Sequence, residues 1–417
     1  MILTLILLVT GCNRKKPSGS EYVFAPLPEV LVTLEGHSAD APGDWEKIRR
    51  EEILELFRDH VYGSVPDTDP FIRFVEAIPG TSALDGSAIR KEVDMVISRG
   101  EDSLAMGLLI FLPSGHPGPV PLFLGLNFYG NHTIHPDEQI RITDSWIRNS
   151  EAFGITENRA TPNSRGVRTH RWPIDLILSR GYGLATMCYN DIDPDFHDGF
   201  RNGIHSILGP EPSLRDSGDW GSIAAWAWGL SAAMDYLETD PDVDNERVAV
   251  IGHSRLGKTA LWAGAQDERF SLVISNNSGC GGAALSRRAY GERVTDINTT
   301  FPHWFAQRFH SYNDNEEALP VDQHMLLALI APRPLYVASA ENDSWADPHG
   351  EYLSLFYAGR AYELYGEKTL EHAALPGTDQ PVWTGKVGYH IRSGDHDLTE
   401  YDWQQYLDFA DKHLTAK

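Results

Sequence analysis

Three kinds of side chain in this sequence could cooperate to break an ester or amide: a serine among glycines, carboxylates downstream of it, and histidines near the C-terminus. The serine is Ser254 in "VAVIGHSRLGKTALWAG", residues 248–264. There a β-branched run meets Gly252-His253-Ser254-Arg255 and continues into an Ala-rich stretch. That order predicts a buried strand, a sharp turn and a helix, the arrangement that presents a nucleophile above a parallel sheet. Gly252 and Gly257 bracket the serine as G-x-S-x-x-G, Leu256 standing where the commoner G-x-S-x-G has its second glycine. The N-terminus of the predicted helix offers free N–H groups and positive potential where an oxyanion would develop.

A serine hydroxyl is a poor nucleophile until a base takes its proton, and a third group must orient that base. On sheets of this type the chain order is serine, acid, histidine. "LYVASAEND" supplies Glu341 and Asp343, with Asp347 close behind. Asp343 is the expected acid, because it lies in the loop just past the strand and can point back; Glu341 reads as a surface residue at the strand end. "YHIRSGDHDLTEYDW" supplies His390 and His396. His396, in the loop between Gly394 and the last helix, is the expected base, and His390 falls in or near a strand.

The elements that must position these groups follow from hydrophobic periodicity. "DWEKIRREEILELFRDHVYG" places Ile48, Ile53, Leu54, Leu56 and Phe57 on one helical face. "IRKEVDMVISRG" and "LAMGLLIFLPSG" read as strands, and "VPLFLGLNFYG" as a strand covered on both faces. Strands and helices then alternate through "GLATMCYN", "SIAAWAWGLSAAMDYLE", "RVAVIG", "FSLVISNN" and "PLYVASAEND". The closing helix puts Trp403, Leu407, Ala410 and Leu414 on one face. The pattern is an α/β chain with a doubly wound, mostly parallel sheet. A polar stretch at about 130–172 breaks the rhythm and reads as a cap or substrate-binding insertion.

The chain has 417 residues and a formal net charge of −24, from 35 basic and 59 acidic side chains. Such an excess argues against nucleic acid as a partner and favours solubility outside the cell. "MILTLILLVTGC" is too short for a membrane span and reads as a signal segment, 1–11, ending in a lipobox-like Val9-Thr10-Gly11-Cys12. Cys12 is then the lipidation site, residues 12–28 a flexible tether, and 29–417 a single catalytic domain. This places the protein in the cell envelope as an outer-membrane lipoprotein, or in the periplasm or medium, touching membrane only through the lipid; a monomer is expected. Cys188 and Cys280 read as buried thiols. His132 and His135 have ligand-like spacing but nothing to complete a metal site. Arg165, Arg168, His170 and Arg171 form either a solvated loop face or a contact for a polymer or carboxylate.

The stretches "GHSRLGK", "SGCGGAALSRRAYGE", "FPHWF", "LALIAPRPLYVASAENDSWADPHGE" and "HIRSGDHDLTEYDW" resemble the bacterial glucuronoyl esterases, carbohydrate esterase family fifteen. The resemblance covers most of the chain after the tether and implies an α/β-hydrolase fold. It also implies cleavage of esters between lignin alcohols and the 4-O-methyl-glucuronic acid groups of glucuronoxylan, with no metal or organic cofactor. On these motifs Ser254 is the nucleophile, His396 the base and Arg255 an oxyanion stabiliser, while Lys258, Glu292 and Trp345 hold the sugar. Fungal relatives place their acid in a "QESG"-like stretch after the preceding strand; here it reads Asn276-Asn277-Ser278-Gly279. An amide cannot stabilise imidazolium as a carboxylate does, which again points to Asp343 and leaves open whether Asn277 holds a supporting hydrogen bond. Competing readings are an acetylxylan esterase or a peptidase of the same fold. More remote is a non-catalytic carbohydrate-binding surface protein, against which the full serine, acid and histidine set argues.

Overall fold

Ten strands form one sheet: β1 (Ile72–Ala83), β2 (Ala88–Arg99), β3 (Asp102–Pro113), β4 (Val120–Asn127), β5 (Gly183–Cys188), β6 (Val243–His253), β7 (Leu272–Asn276), β8 (Leu335–Ala340), β9 (Val382–Thr384) and β10 (Val387–Arg392). Their order across the sheet is β1-β2-β3-β5-β4-β6-β7-β8-β10-β9. The strands from β5 to β10 in that order pair in parallel, and both flanks are antiparallel. Every residue of β4, β5, β7 and β8 is buried, as strands covered on both faces require. This is the mostly parallel α/β sheet expected of an α/β-hydrolase. The computed structural model describes residues 25–67 and 70–414. The leader 1–11, Cys12 and the tether up to residue 24 therefore lie outside the described residues. At the tether's end, the Pro28 carbonyl accepts a hydrogen bond from His324 Nε2 at 2.9 Å. No helix among the described residues is long and apolar enough to cross a membrane.

The helices that matter for the site are α1 (Arg50–Phe57), α2 (Ser222–Leu237), α3 (Arg255–Gln266), α4 (Pro348–Glu363) and α5 (Glu400–His413). On one face of the sheet Phe57, Trp226 and Trp262 join a large apolar cluster. On the other, Trp403, Leu407, Ala410 and Leu414 of the closing segment pack with Phe123 and Tyr336. These are the four positions expected to face inward. Cys188 and Cys280 are free and buried.

Three elements differ from the sequence reading. Ile48 is 50 % exposed, although Ile53, Leu54 and Phe57 are buried. It lies in a wide π turn, Trp45–Arg49, preceding α1; the extra residue per turn rotates the face and carries Trp45 and Arg49 inward instead. Strand β1 has no clean alternation, because Pro79 and two register shifts interrupt it, which an edge position permits. Helix α4 hides in the "ADPHGEYLSLFYAGRAYE" stretch, since it is buried on several sides and shows no single apolar stripe. The insertion at about 130–172 is built from short 3₁₀ turns. Its polar groups bond inward: His132 Nε2 to Ser164 Oγ at 2.7 Å, and Arg165 Nη1 to the Asp137 and Ile140 carbonyls at 2.7 and 2.8 Å.

Candidate active site

Strand β6 delivers Ser254 to the carboxyl edge of the sheet, and α3 begins at the next residue. Ser254 has φ 59° and ψ −129°, a conformation that L-residues rarely adopt and that surrounding structure must enforce. The chain folds so tightly here that a Cβ on Gly252 would sit 1.8 Å from the Leu256 carbonyl oxygen. The Ser254 side chain does not cap α3. The Arg255 and Leu256 N–H groups open that helix, where no preceding turn can accept them.

The loops after β8 and β10 bring the acid and the base together. Asp343 Oδ2 accepts from His396 Nδ1 at 2.5 Å and from Asn277 Nδ2 at 2.9 Å. Burial pushes the Asp343 carboxyl up, but His396, the Asn277 amide and the Ala346 N–H outweigh it and hold it below the usual range. His396 is 41 % exposed, and its ring lies 4.6 Å from that of His253, the residue before Ser254. No hydrogen bond among the described residues joins the Ser254 hydroxyl to His396; such contacts commonly tighten only in the substrate complex. The alternative residues are engaged elsewhere. Glu341 accepts from Thr378 on the surface, and Asp347 pairs with Arg288 and caps α4. His390 is wholly buried between Asp402, 2.9 Å, and Tyr336, 3.1 Å.

His253 is also internal. Its Nδ1 meets Asn276 Oδ1 at 2.6 Å, while the Asn276 amide donates to Tyr406 and Asp402. Burial, then the charges of Arg171 and His396, keeps this ring neutral. It serves as a fixed wall beside the His396 ring.

The cationic residues after the serine are tied down unequally. Arg255 Nη1 donates to Asp195, and its guanidinium carbon lies 4.5 Å from the Trp304 ring centre and 5.2 Å from Phe301. Lys258 lies deeper than its expected sugar-binding role suggests. Its side chain is 5 % exposed and 3.8 Å from Glu292 Oε2, and its ammonium donates to the Ser278 carbonyl. Glu292 N–H donates to the Trp345 carbonyl at 2.8 Å, and Gly291 between these segments has φ +67° with no room for a Cβ. Trp345 itself stands 57 % exposed. The structure thus gathers Ser254, Arg255, Lys258, Glu292, Trp345, Asp343 and His396 at one edge of the sheet.

Arg168, Arg171 and the half-exposed His170 converge on one carboxylate of the chain itself. Arg171 Nε donates to Asp397 at 2.5 Å, His170 lies 3.4 Å from the same carboxylate, and Arg168 3.8 Å. Asp397 follows His396 directly, so the insertion clamps the loop that carries the base. Sequence reasoning passed over this clamp and over Asp195, because each joins residues far apart in the chain. Its partners Arg255, His303 and Trp304 stood in the quoted "GHSRLGK" and "FPHWF", but nothing in the letters joined them to Asp195.

Beneath the site, Glu351 of α4 is fully buried. Its oxygens meet Ser339 Oγ at 2.6 Å, the Gly279 N–H at 2.9 Å and Ser278 Oγ at 3.2 Å, and the Ser339 hydroxyl can turn to accept when the acid is protonated. Burial pushes its carboxyl up from 4.5 to about 8. Between those values the native state holds a proton that the unfolded chain releases, so stability falls as pH rises through that window. Glu351→Gln cannot ionise and is expected to gain about 1–3 kcal/mol relative to wild type between pH 5 and pH 8. Thermal unfolding of both proteins across this range checks it; a pH-independent difference would contradict the assignment.

Comparison with known proteins gives one family. A family model described as "Glucuronyl esterase, fungi" matches residues 214–366. Carbohydrate esterase MZ0003, from an unknown prokaryotic organism, is 52 % identical over 94 % of this chain and 90 % of its own. A 4-O-methyl-glucuronoyl methylesterase from Neurospora crassa is 33 % identical over 88 % of this chain and 82 % of its own. The solved glucuronoyl esterase from Solibacter usitatus superposes with a TM-score of 0.87 at 47 % identity, covering 94 % of this chain and 99 % of that one.

Proposed function

We infer that this chain, which belongs to the glucuronoyl esterases of carbohydrate esterase family fifteen and is a carboxylic ester hydrolase, acts on esters of glucuronic acid or its 4-O-methyl ether carried on xylan. Ser254 attacks the ester carbonyl while His396 takes its proton, and Asp343 holds the ring and stabilises the imidazolium. Arg255 and the first N–H groups of α3 receive the negative charge of the tetrahedral intermediate. His396 then protonates the departing alcohol, and water releases the uronic acid by the same steps in reverse. No step in this route calls on a metal or organic cofactor.

The observation that carries the substrate class is the surface next to the elbow. Lys258 and Glu292 lie 3.8 Å apart, and Glu292 is bonded through its backbone to the exposed Trp345. An exposed aromatic side chain on the segment bonded to Glu292, whose carboxylate lies against the buried Lys258 ammonium, suits a hydroxylated ring, as opposed to a small acetyl group or an extended peptide. An envelope location, argued from the leader and Cys12, fits a polymeric substrate that cannot enter the cell.

Benzyl glucuronate against acetylated xylan is the test. The uronate ester is expected to be turned over at least about tenfold more efficiently, roughly 1.4 kcal/mol of transition-state discrimination. Equal or faster release of acetate would replace this substrate with an acetyl ester.

A further inference from the structure

Asp195, on the loop after β5, is 1 % exposed, and it collects donors from four directions. Its Oδ2 accepts from Arg255 Nη1 and from the Tyr189 hydroxyl at 2.8 Å. Its Oδ1 accepts from Trp304 Nε1 at 2.7 Å and faces His303 Nε2 at 3.0 Å. The loop is fixed in turn, because the Asp195 N–H donates to Asn190 Oδ1 at 2.9 Å. Burial alone would raise this carboxyl, but Arg255, His303 and Trp304 outweigh it and keep it ionised. A buried carboxylate with both oxygens occupied is a rigid object.

Among the described residues, Asp195 is the one side chain that accepts a hydrogen bond from the Arg255 guanidinium. Phe301 and Trp304 stack directly on each other, centroids 3.7 Å apart and 2° between planes, and the guanidinium lies against this pair; ring contacts alone do not fix the direction of its N–H groups. The Asp195 contact removes that freedom. It takes one edge of the fork, and Nε remains buried without a partner. A side chain 21 % exposed, one residue from the nucleophile, thus keeps donors in reserve.

We propose that Asp195 is the positioning residue for Arg255, locking the guanidinium so that its unoccupied donors face the oxygen that becomes negative at Ser254. This rests on the reading of Ser254 and Arg255 as nucleophile and oxyanion donor. The benefit is preorganisation, because a donor already aimed at the developing charge needs no reorganisation during the reaction. The opposing effect is electrostatic, since a carboxylate beside the guanidinium weakens its field. The two effects predict opposite outcomes when the charge is removed, so the balance can be measured.

The experiment is a double-mutant cycle with Asp195→Asn, Arg255→Ala and the pair, on benzyl glucuronate and on p-nitrophenyl acetate. Asp195→Asn is expected to lower kcat about 10–100-fold with KM changed less than threefold. The double variant should be no more than about threefold slower than Arg255→Ala, because the two losses share one cause. Asp195→Glu should recover less than half of the loss, since a longer acid moves the fork. Multiplied losses, a fall confined to KM, or an Asp195→Asn enzyme as fast as wild type would overturn the proposal. Should Asp195→Asn fail to fold, Trp304→Phe in the same cycle replaces it, with a kcat loss of about 3–10-fold expected and the same non-additivity. A wild type active only on the acetate would instead reject the glucuronate substrate, and the cycle would still be read on the acetate.

Discussion

Ser254→Ala is expected to lower kcat by about 10⁵-fold or more, the scale on which removing a nucleophile that acts as part of a unit is felt. Ester binding should persist, because Glu292 and Trp345 belong to other segments and the Lys258 ammonium is held by the Ser278 carbonyl, not by the serine hydroxyl. The same position makes a second, independent demand. With φ at 59°, any residue carrying a Cβ is strained, and such strain costs on the order of 1–3 kcal/mol. Ser254→Gly should therefore be as inactive as the alanine variant yet more stable than it by about 1 kcal/mol, after the greater unfolded-state freedom of glycine is set against the relief. Paired denaturation curves and steady-state rates decide both points. An alanine variant keeping more than a hundredth of wild-type kcat would remove Ser254 from the chemistry. A glycine variant no more stable than alanine would mean that the turn is not strained.

What the sequence disclosed about this site was local, and what it concealed was long-range. The elbow is written in consecutive letters: a β-branched strand, Gly252, Ser254 and a helix-forming run. Asp343 and His396 were legible because both fall in loops that follow strand-like segments; chain order pointed to these regions, and position past the strand ends selected them over Glu341 and His390. Nothing comparable marks Asp195, which meets Arg255 only after the loop beyond β5 folds across 60 residues of intervening chain. The hold of Asp397 on Arg171 spans 226 residues and is equally silent; the basic cluster was visible, but its partner was not. Burial misleads in the same way. Lys258 follows Ser254 by one helical turn and so reads as a cleft residue, yet its depth depends on the Ser278 loop closing over it. The edge strand β1 and the buried helix α4 escaped because interruption by Pro79 and all-round burial each erase the periodicity on which such reading depends.

Asp343→Asn is expected to lower kcat by about 10³-fold, with KM within a few-fold of wild type. The surroundings decide which way the new amide points. Asp343 Oδ2 accepts from both His396 and Asn277, so an NH₂ there would face two donors. Oδ1 meets only the Ala346 N–H, at 3.3 Å, so the NH₂ settles there. The carbonyl oxygen then still orients His396 in the correct tautomer, and the lost quantity is negative charge facing the imidazolium. That charge can be returned from next door. Adding Asn277→Asp to Asp343→Asn restores a carboxylate 2.9 Å from the original acceptor atom in the wild-type geometry. The double variant should recover about tenfold in kcat, part of the loss, because the amide at 343 must turn its NH₂ toward the new carboxylate at 277 and so gives up its carbonyl hold on His396 while the charge is restored. Glu341→Gln should stay within twofold of wild type, since its partner is a surface threonine. Asp347→Asn should lower the unfolding temperature by loosening Arg288 and the cap of α4 and leave kcat of the folded enzyme within a few-fold. If Glu341→Gln fell as far as Asp343→Asn, the acid would have to be reassigned. A double variant no faster than Asp343→Asn would mean that geometry, and not charge, is what the carboxylate supplies.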